Sequence, residues 1–168
     1  MFPKNARVYK ITESIFSNLT ESATALLAFK FEPCTSQQAI KTGFAEPVPC
    51  SSNLAVHAEG YVLLAMKTQE KVLPPAVIAE ELAPKIAEIQ QEKGRPLSRK
   101  EKQVLKEELI QTLLPRAFVK SKVVNAFYCT KTQHLVVGTN SASVAETFLG
   151  LLRKALGSQR RFQPHSPN

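Results

Sequence analysis

Residues 73–118 read LPPAVIAEELAPKIAEIQQEKGRPLSRKEKQVLKEELIQTLLPRAF. Leu73-Pro74-Pro75 ends whatever precedes it, because proline fixes φ and suits the first turn of a helix. A helix from about Pro75 to Glu92 follows, with Val77, Ile78, Leu82, Ile86 and Ile89 at helical spacing. Pro84 lies inside that pattern and is expected to kink or split it. Lys93-Gly94-Arg95-Pro96 is a clear break. Ser98-Arg99-Lys100-Glu101 then has capping-box spacing, in which the serine and glutamate side chains satisfy each other's exposed amides. The helix so begun carries Val104, Leu105, Leu109, Thr112 and Leu113 and stops before Pro115. Two helices joined by so short a loop pack antiparallel. Residues 75–116 are therefore predicted to form a projecting helical hairpin.

Both flanks read as β structure, which makes the fold α+β: a mostly antiparallel sheet with flanking helices and the hairpin as a tip. Residues 5–74 form the first part of the core and residues 117–158 the second. Ala6 to Ile11 reads as a strand. Thr12 and Ser14 can cap a helix to about Ala28, with Ile15, Leu19, Ala23, Leu26 and Leu27 apolar. Lys30 to Ser52 carries Pro33, Pro47 and Pro49 and reads as irregular, with one short helix around Ser36 to Lys41. Leu54 to Glu59 and Tyr61 to Val72 read as a hairpin about Gly60, its second strand apolar enough to be buried on both faces. Ala117 to Cys129 and His134 to Thr139 form a second strand pair around a turn at Lys131 to Gln133. Ser141 or Ser143 caps a last helix ending at Gly157, Glu146 completing a second box with Ser143. Residues 159–168 are polar, contain two prolines, and are expected to be disordered.

Hydrophobic residues make up 43% of the 168, enough for a core, and charged residues 21%, which excludes wholesale disorder. No run approaches the roughly 20 apolar residues of a membrane span. The N-terminus lacks a signal-peptide pattern. Cys34, Cys50 and Cys129 are an odd set without Cys-x-x-Cys spacing, so reduced thiols and a cytoplasmic location are expected.

Residues able to do chemistry are few. His57, His134 and His165 have no zinc-ligand spacing, and no phosphate-binding or hydrolase motif is present. All fourteen acids are glutamate, so the aspartates of a two-metal nuclease are missing. No catalytic residue, cofactor or metal is expected, and the chain reads as a non-enzyme.

The basic residues are informative. Net charge is +8, and a surface of that sign suits a polyanion. Residues 93–122 hold nine Lys and Arg against Glu101, Glu107 and Glu108, which leaves +6 in thirty residues. Lys93, Arg95, Arg99, Lys100, Lys102, Arg116, Lys120 and Lys122 are the candidate DNA contacts. Such a set suits phosphates rather than base edges. No aromatic ladder is interleaved with it, so duplex is expected before single strand. Arg153, Lys154, Arg160 and Arg161 form a second group. Phe118, beside Val119 on a strand otherwise carrying Lys120 and Lys122, reads as a dimer anchor or as core.

Certain stretches carry a likeness: residues 33–37 (PCTSQ), 71–78 (KVLPPAVI), 94–97 (GRPL) with Lys102, 113–118 (LLPRAF) and 151–158 (LLRKALGS). In order and spacing they resemble the RdgC family of recombination-associated, DNA-binding proteins. The likeness covers about residues 5–158 and the first half of the family's pattern only. It implies a non-enzymatic protein that holds duplex DNA with little sequence preference. It implies a ring of two subunits around DNA, the hairpin as its tip, Phe118 at an apolar contact between subunits, and a basic residue at Arg95. It implies restraint of recombinase filaments and a nucleoid-associated location, in bacteria or their phages. The other reading is an interaction protein that binds a relative, a nuclease or a recombinase instead of DNA.

Overall fold

The computed structural model describes residues 5–12, 16, 19–49, 51–157 and 162–164. Its elements run β1 (Arg7–Ile11), α1 (Leu19–Leu27), β2 (Ile40–Ala45), β3 (Ala55–Ala58), β4 (Tyr61–Val72), α2 (Pro75–Lys93), α3 (Arg99–Leu113), a 3₁₀ turn (Leu114–Arg116), β5 (Phe118–Cys129), β6 (His134–Val137), α4 (Ala142–Leu156) and β7 (Phe162–Pro164). The fold is α+β. Seven strands form one sheet in the order β2-β4-β5-β6-β1-β7, with β3 also on β4. The pairs β1–β6, β1–β7, β3–β4 and β5–β6 are antiparallel. By contact the chain divides into two compact units, one of residues 1–32, 42–68 and 122–168, the other of residues 33–41 and 69–121.

The first unit holds the main core. Alternation along each strand sends Tyr9 and Ile11, Val62, Leu64 and Met66, Val124, Ala126 and Tyr128, and Leu135 and Val137 to one face of the sheet. There they meet Leu26 of α1 and Phe148, Leu149 and Leu152 of α4. Each such large side chain contributes roughly 1.5–3 kcal/mol by leaving water. The β3–β4 turn places Glu59 at φ 48° and Gly60 at φ 85°. Two left-handed residues in a two-residue loop match the twist of the strands they join.

The second unit is thinly cored. Its buried apolar residues are Leu97, Leu109 and Leu114, and none of the nineteen residues of α2 is buried. Lys71 ties it together, its ammonium donating to the carbonyls of Ser36 and Leu114.

Several expectations need correction. The Ser36 to Lys41 stretch is not a helix: a turn at Ser36-Gln37 leads into strand β2. Helix α1 begins at Leu19, and it buries Ser22 and Leu26, whereas Ala23 and Leu27 are exposed. Ser14 and Ile15 lie outside the described residues, and the Leu19 side chain is not described. Helix α2 is not split; it runs through Pro84 without interruption. Pro84 is exposed, so water can satisfy the carbonyl that the ring deprives of its partner. Ser141, not Ser143, caps α4, its hydroxyl accepting from the Val144 amide at 3.4 Å. Ser143 lies inside the helix, where its carbonyl accepts from Thr147. β6 stops at Val137, before Thr139. Within the stretch read as disordered, Phe162–Pro164 forms β7 against β1; residues 159–161 and 165–168 are outside the described ones.

Candidate nucleic-acid interface

The basic cluster is built around a helix–loop–helix corner. α2 ends on Lys93, and Gly94 follows in the left-handed conformation, its amide bonded back to Gln91. Leu97 turns inward and is buried, which fixes the loop and delivers Ser98 to the start of α3. The capping box forms: the Ser98 hydroxyl accepts from the Glu101 amide at 3.3 Å, and Glu101 Oε2 accepts from the Ser98 amide at 2.9 Å.

That carboxylate takes on more than a cap. Arg95 forks onto it, Nη1 to Oε2 at 3.1 Å and Nη2 to Oε1 at 2.9 Å. Lys93 Nζ donates to Oε1 at 3.0 Å. Bidentate geometry of this kind is the strongest form of guanidinium–carboxylate contact. The Arg95 fork, then the Ser98 amide and the Lys93 ammonium, hold the Glu101 carboxyl well below the usual carboxylate range. Glu101 in turn raises the guanidinium of Arg95. All three side chains are solvent-accessible, so salt screens these pairs. Two of the eight candidate cations thus already share one anion. Sequence reading found the box but not the clamp, because nothing in the Ser-x-x-Glu spacing shows that a residue upstream folds back onto the same oxygens.

All eight candidate residues are exposed. Arg99 and Lys102 follow i, i+3 spacing, and Lys106, set aside in the sequence reading, extends them to i+7. The three share one face of α3, while Lys100 lies about 100° around the helix. Arg116 sits in the 3₁₀ turn and Lys120 on β5. The division between units falls after Ser121, so Lys122 belongs to the first unit with Arg153 and Lys154. Arg153 lies over the Phe162 ring at 5.0 Å; Arg160 and Arg161 are outside the described residues. α2 is charged the opposite way, with Glu80, Glu81, Glu88 and Glu92 against Lys85 before Lys93. The Phe118 ring is 88% exposed and Val119 beside it 49%, so neither belongs to the described core.

The remaining chemistry-bearing residues stand apart. His57 packs edge-on against Phe16, His134 lies on β6, and His165 is outside the described residues. Cys34 donates its thiol to the Gln69 carbonyl at 3.3 Å, and Cys50 is outside the described residues. The Cys129 thiol is pulled down by hydrogen bonds from the Thr132 side chain and backbone, a shift the sequence did not signal. Among the described residues no group of three or more His, Cys or Glu gathers as a metal site. No helix among them is long and apolar enough to cross a membrane.

Comparison with known proteins places this arrangement. A sequence model of the family described as "Putative exonuclease, RdgC" matches residues 1–167. The "Recombination-associated protein RdgC" of Pseudoalteromonas atlantica is 39% identical over 158 residues, 94% of this chain and 52% of that protein. The protein of the same name in Psychromonas ingrahamii is 38% identical over 159 residues (94% and 53%). That of Shewanella oneidensis is 41% identical over 160 residues (94% and 52%). The chain spans about half the length of these curated relatives. On a match that runs nearly from end to end of the sequence, this chain belongs to the RdgC family.

Proposed function

We propose that the chain binds duplex DNA through its phosphates, without sequence preference, and modulates recombination by restricting a recombinase's access to DNA. The observation that carries this is the exposed face of α3 formed by Arg99, Lys102 and Lys106. Three cations at that spacing span about two helical turns, a length comparable to neighbouring phosphates along a groove. The Gln103 amide on the same helix donates to Glu107 at 2.8 Å and is not turned outward to a base edge, which favours backbone contact over sequence readout. The relatives' printed name, recombination-associated, supports the wider role. Lys93, Arg95, Lys100, Arg116, Lys120 and Lys122 complete the proposed contact set, and a nucleoid-associated location follows from such binding.

Gel-shift titration of one duplex across salt tests the reading. If six to ten phosphates are contacted, affinity falls by about 10³-fold or more between 50 and 200 mM salt. Arg99→Ala with Lys102→Ala should weaken binding to every duplex alike and flatten that slope by about two. Retention of the wild type on duplex in 1 M salt would overturn it. The role is also proposed to be non-catalytic. Incubation of an end-labelled duplex with divalent metal should leave its length unchanged, and progressive shortening would instead favour the exonuclease of the family's description.

Phe118 favours a protein contact in addition, since a fully presented ring is a common centre of an interface. We assign it to a second copy of the chain. Its alternative, a nuclease or recombinase partner, would show as a complex that survives salt high enough to release DNA.

A further inference from the structure

In the first unit α1 and α4 pack on the face of the sheet that carries Tyr9, Val62, Leu64 and Tyr128. Alternation sends Val8, Leu63, Phe127 and Val136 to the opposite face, where each is only half-buried. A groove of about 570 Å³ lies there, walled by Pro47, Val48 and Pro49 after β2, with Tyr61, Leu63, Asn125 and Phe127 in its lining. That volume lies within the range of small-molecule sites.

The geometry points to a stacking site for an unpaired nucleobase of a single strand. Tyr61 is 46% exposed and meets Phe127 from the neighbouring strand, ring centres 6.3 Å apart and planes at 70°. Aromatic rings on adjacent strands of an open sheet face are a recurring platform for bases of single-stranded nucleic acid. Asn125, exposed and on the same side of β5 as Phe127, brings an amide that can both donate to and accept from a base edge. A cation is close by. The Thr130 amide and hydroxyl both donate to the Gly60 carbonyl, at 3.0 and 2.8 Å, docking the β5–β6 turn on the β3–β4 turn. Lys131 therefore runs past Gly60, its Cε 3.9 Å from where a side chain on that glycine would begin. This places a lysine at the turn that leads into Tyr61, from which it can reach toward the strand's phosphate. Glu59, also in the lining, repels a second phosphate, so the site takes one or two nucleotides and not a long strand. Bases within a duplex have no free face to offer, so this site is separate from the phosphate contacts proposed for α3. The sequence could not show it, because Tyr61 and Phe127 meet only through strand pairing.

Fluorescence anisotropy with a labelled oligothymidylate, an abasic strand of equal length and a duplex tests it. Wild type should prefer the oligothymidylate to the abasic strand. Tyr61→Ala should weaken oligothymidylate binding roughly five- to hundred-fold, as loss of one stacked base does. Tyr61→Phe should retain the affinity, and duplex binding should be unchanged in both. Equal wild-type affinity for the abasic strand, or no binding of oligothymidylate at all, would overturn the site whether or not Tyr61→Ala folds. A parallel loss of duplex binding in Tyr61→Ala would overturn its separateness. Failure of the α3 proposal reads differently: the duplex would not bind while the oligothymidylate did.

Discussion

Glu101 decides how much of the positive charge at the α2–α3 corner is free. It holds Lys93 and Arg95 on one carboxylate while closing the cap of α3. Glu101→Gln should raise duplex affinity several-fold and steepen the salt dependence by between one and two, because each released cation can displace a counterion from DNA. Anisotropy titrations at several salt concentrations read both quantities. The same residue sets an acid limb of stability. Its carboxyl lies below the ordinary value of 4.5. The stabilisation is therefore complete above that value and is lost as pH falls toward the folded-state value. Thermal unfolding should find wild type more stable than Glu101→Gln at pH 7 and the gap narrowing toward about pH 2. At Gly43 the constraint is steric. A Cβ there would lie 2.5 Å from the Phe31 Cα and 2.6 Å from its nitrogen, both backbone atoms that cannot step aside. Gly43→Ala should cost roughly 1–3 kcal/mol in denaturant unfolding.

Among the helices, α2 is the least supported: nineteen residues, none buried, with a proline inside. Pro84→Ala restores the missing amide and removes a ring that crowds the preceding turn. It should stabilise the second unit by roughly 1–3 kcal/mol, provided the surrounding helix already has ordinary geometry. Local signals were legible where local chemistry decides. The Ser98 box, the turn at Gly60 and the stop at Gly157 are each set by one or two side chains, and each was read from the sequence. What was missed depends on the partner across space. β2 was lost because Ile40-Lys41-Thr42-Gly43-Phe44-Ala45 lacks a strong alternating pattern and gains its conformation from pairing in the sheet. The apolar set read for α1 included Ala23, Leu26 and Leu27, of which the core takes Leu26, with Ser22 beside it. In so short a helix, residues one apart are separated by only about 100° and spacing alone does not choose between them.

For the whole molecule, the two units differ in what holds them. The first owns a cluster that runs from Tyr9 through Phe44 and Tyr128 to Leu152, while the second buries Leu97, Leu109 and Leu114. Hydrogen exchange should follow that contrast, with amides of α2 exchanging well before those of β5 and β6 between Ala126 and Val137. Phe118 belongs at this scale too. Phe118→Ala should shift a dimer toward monomer in sedimentation, and an unchanged profile would remove the anchor we assign. The charge cluster was legible as a count along the chain, but its partition was not. Which cations are free, and which are already matched by Glu101, depends on a loop conformation that Leu97 fixes by burial.

The forked carboxylate at the corner has a genetic corollary. If Lys93 is replaced, Arg95 still neutralises it; if Arg95 is replaced, Lys93 does. In folding stability, variants surveyed one position at a time would register both as nearly silent. Only the paired change would strand an anion at the mouth of α3, so the second loss would expose the first.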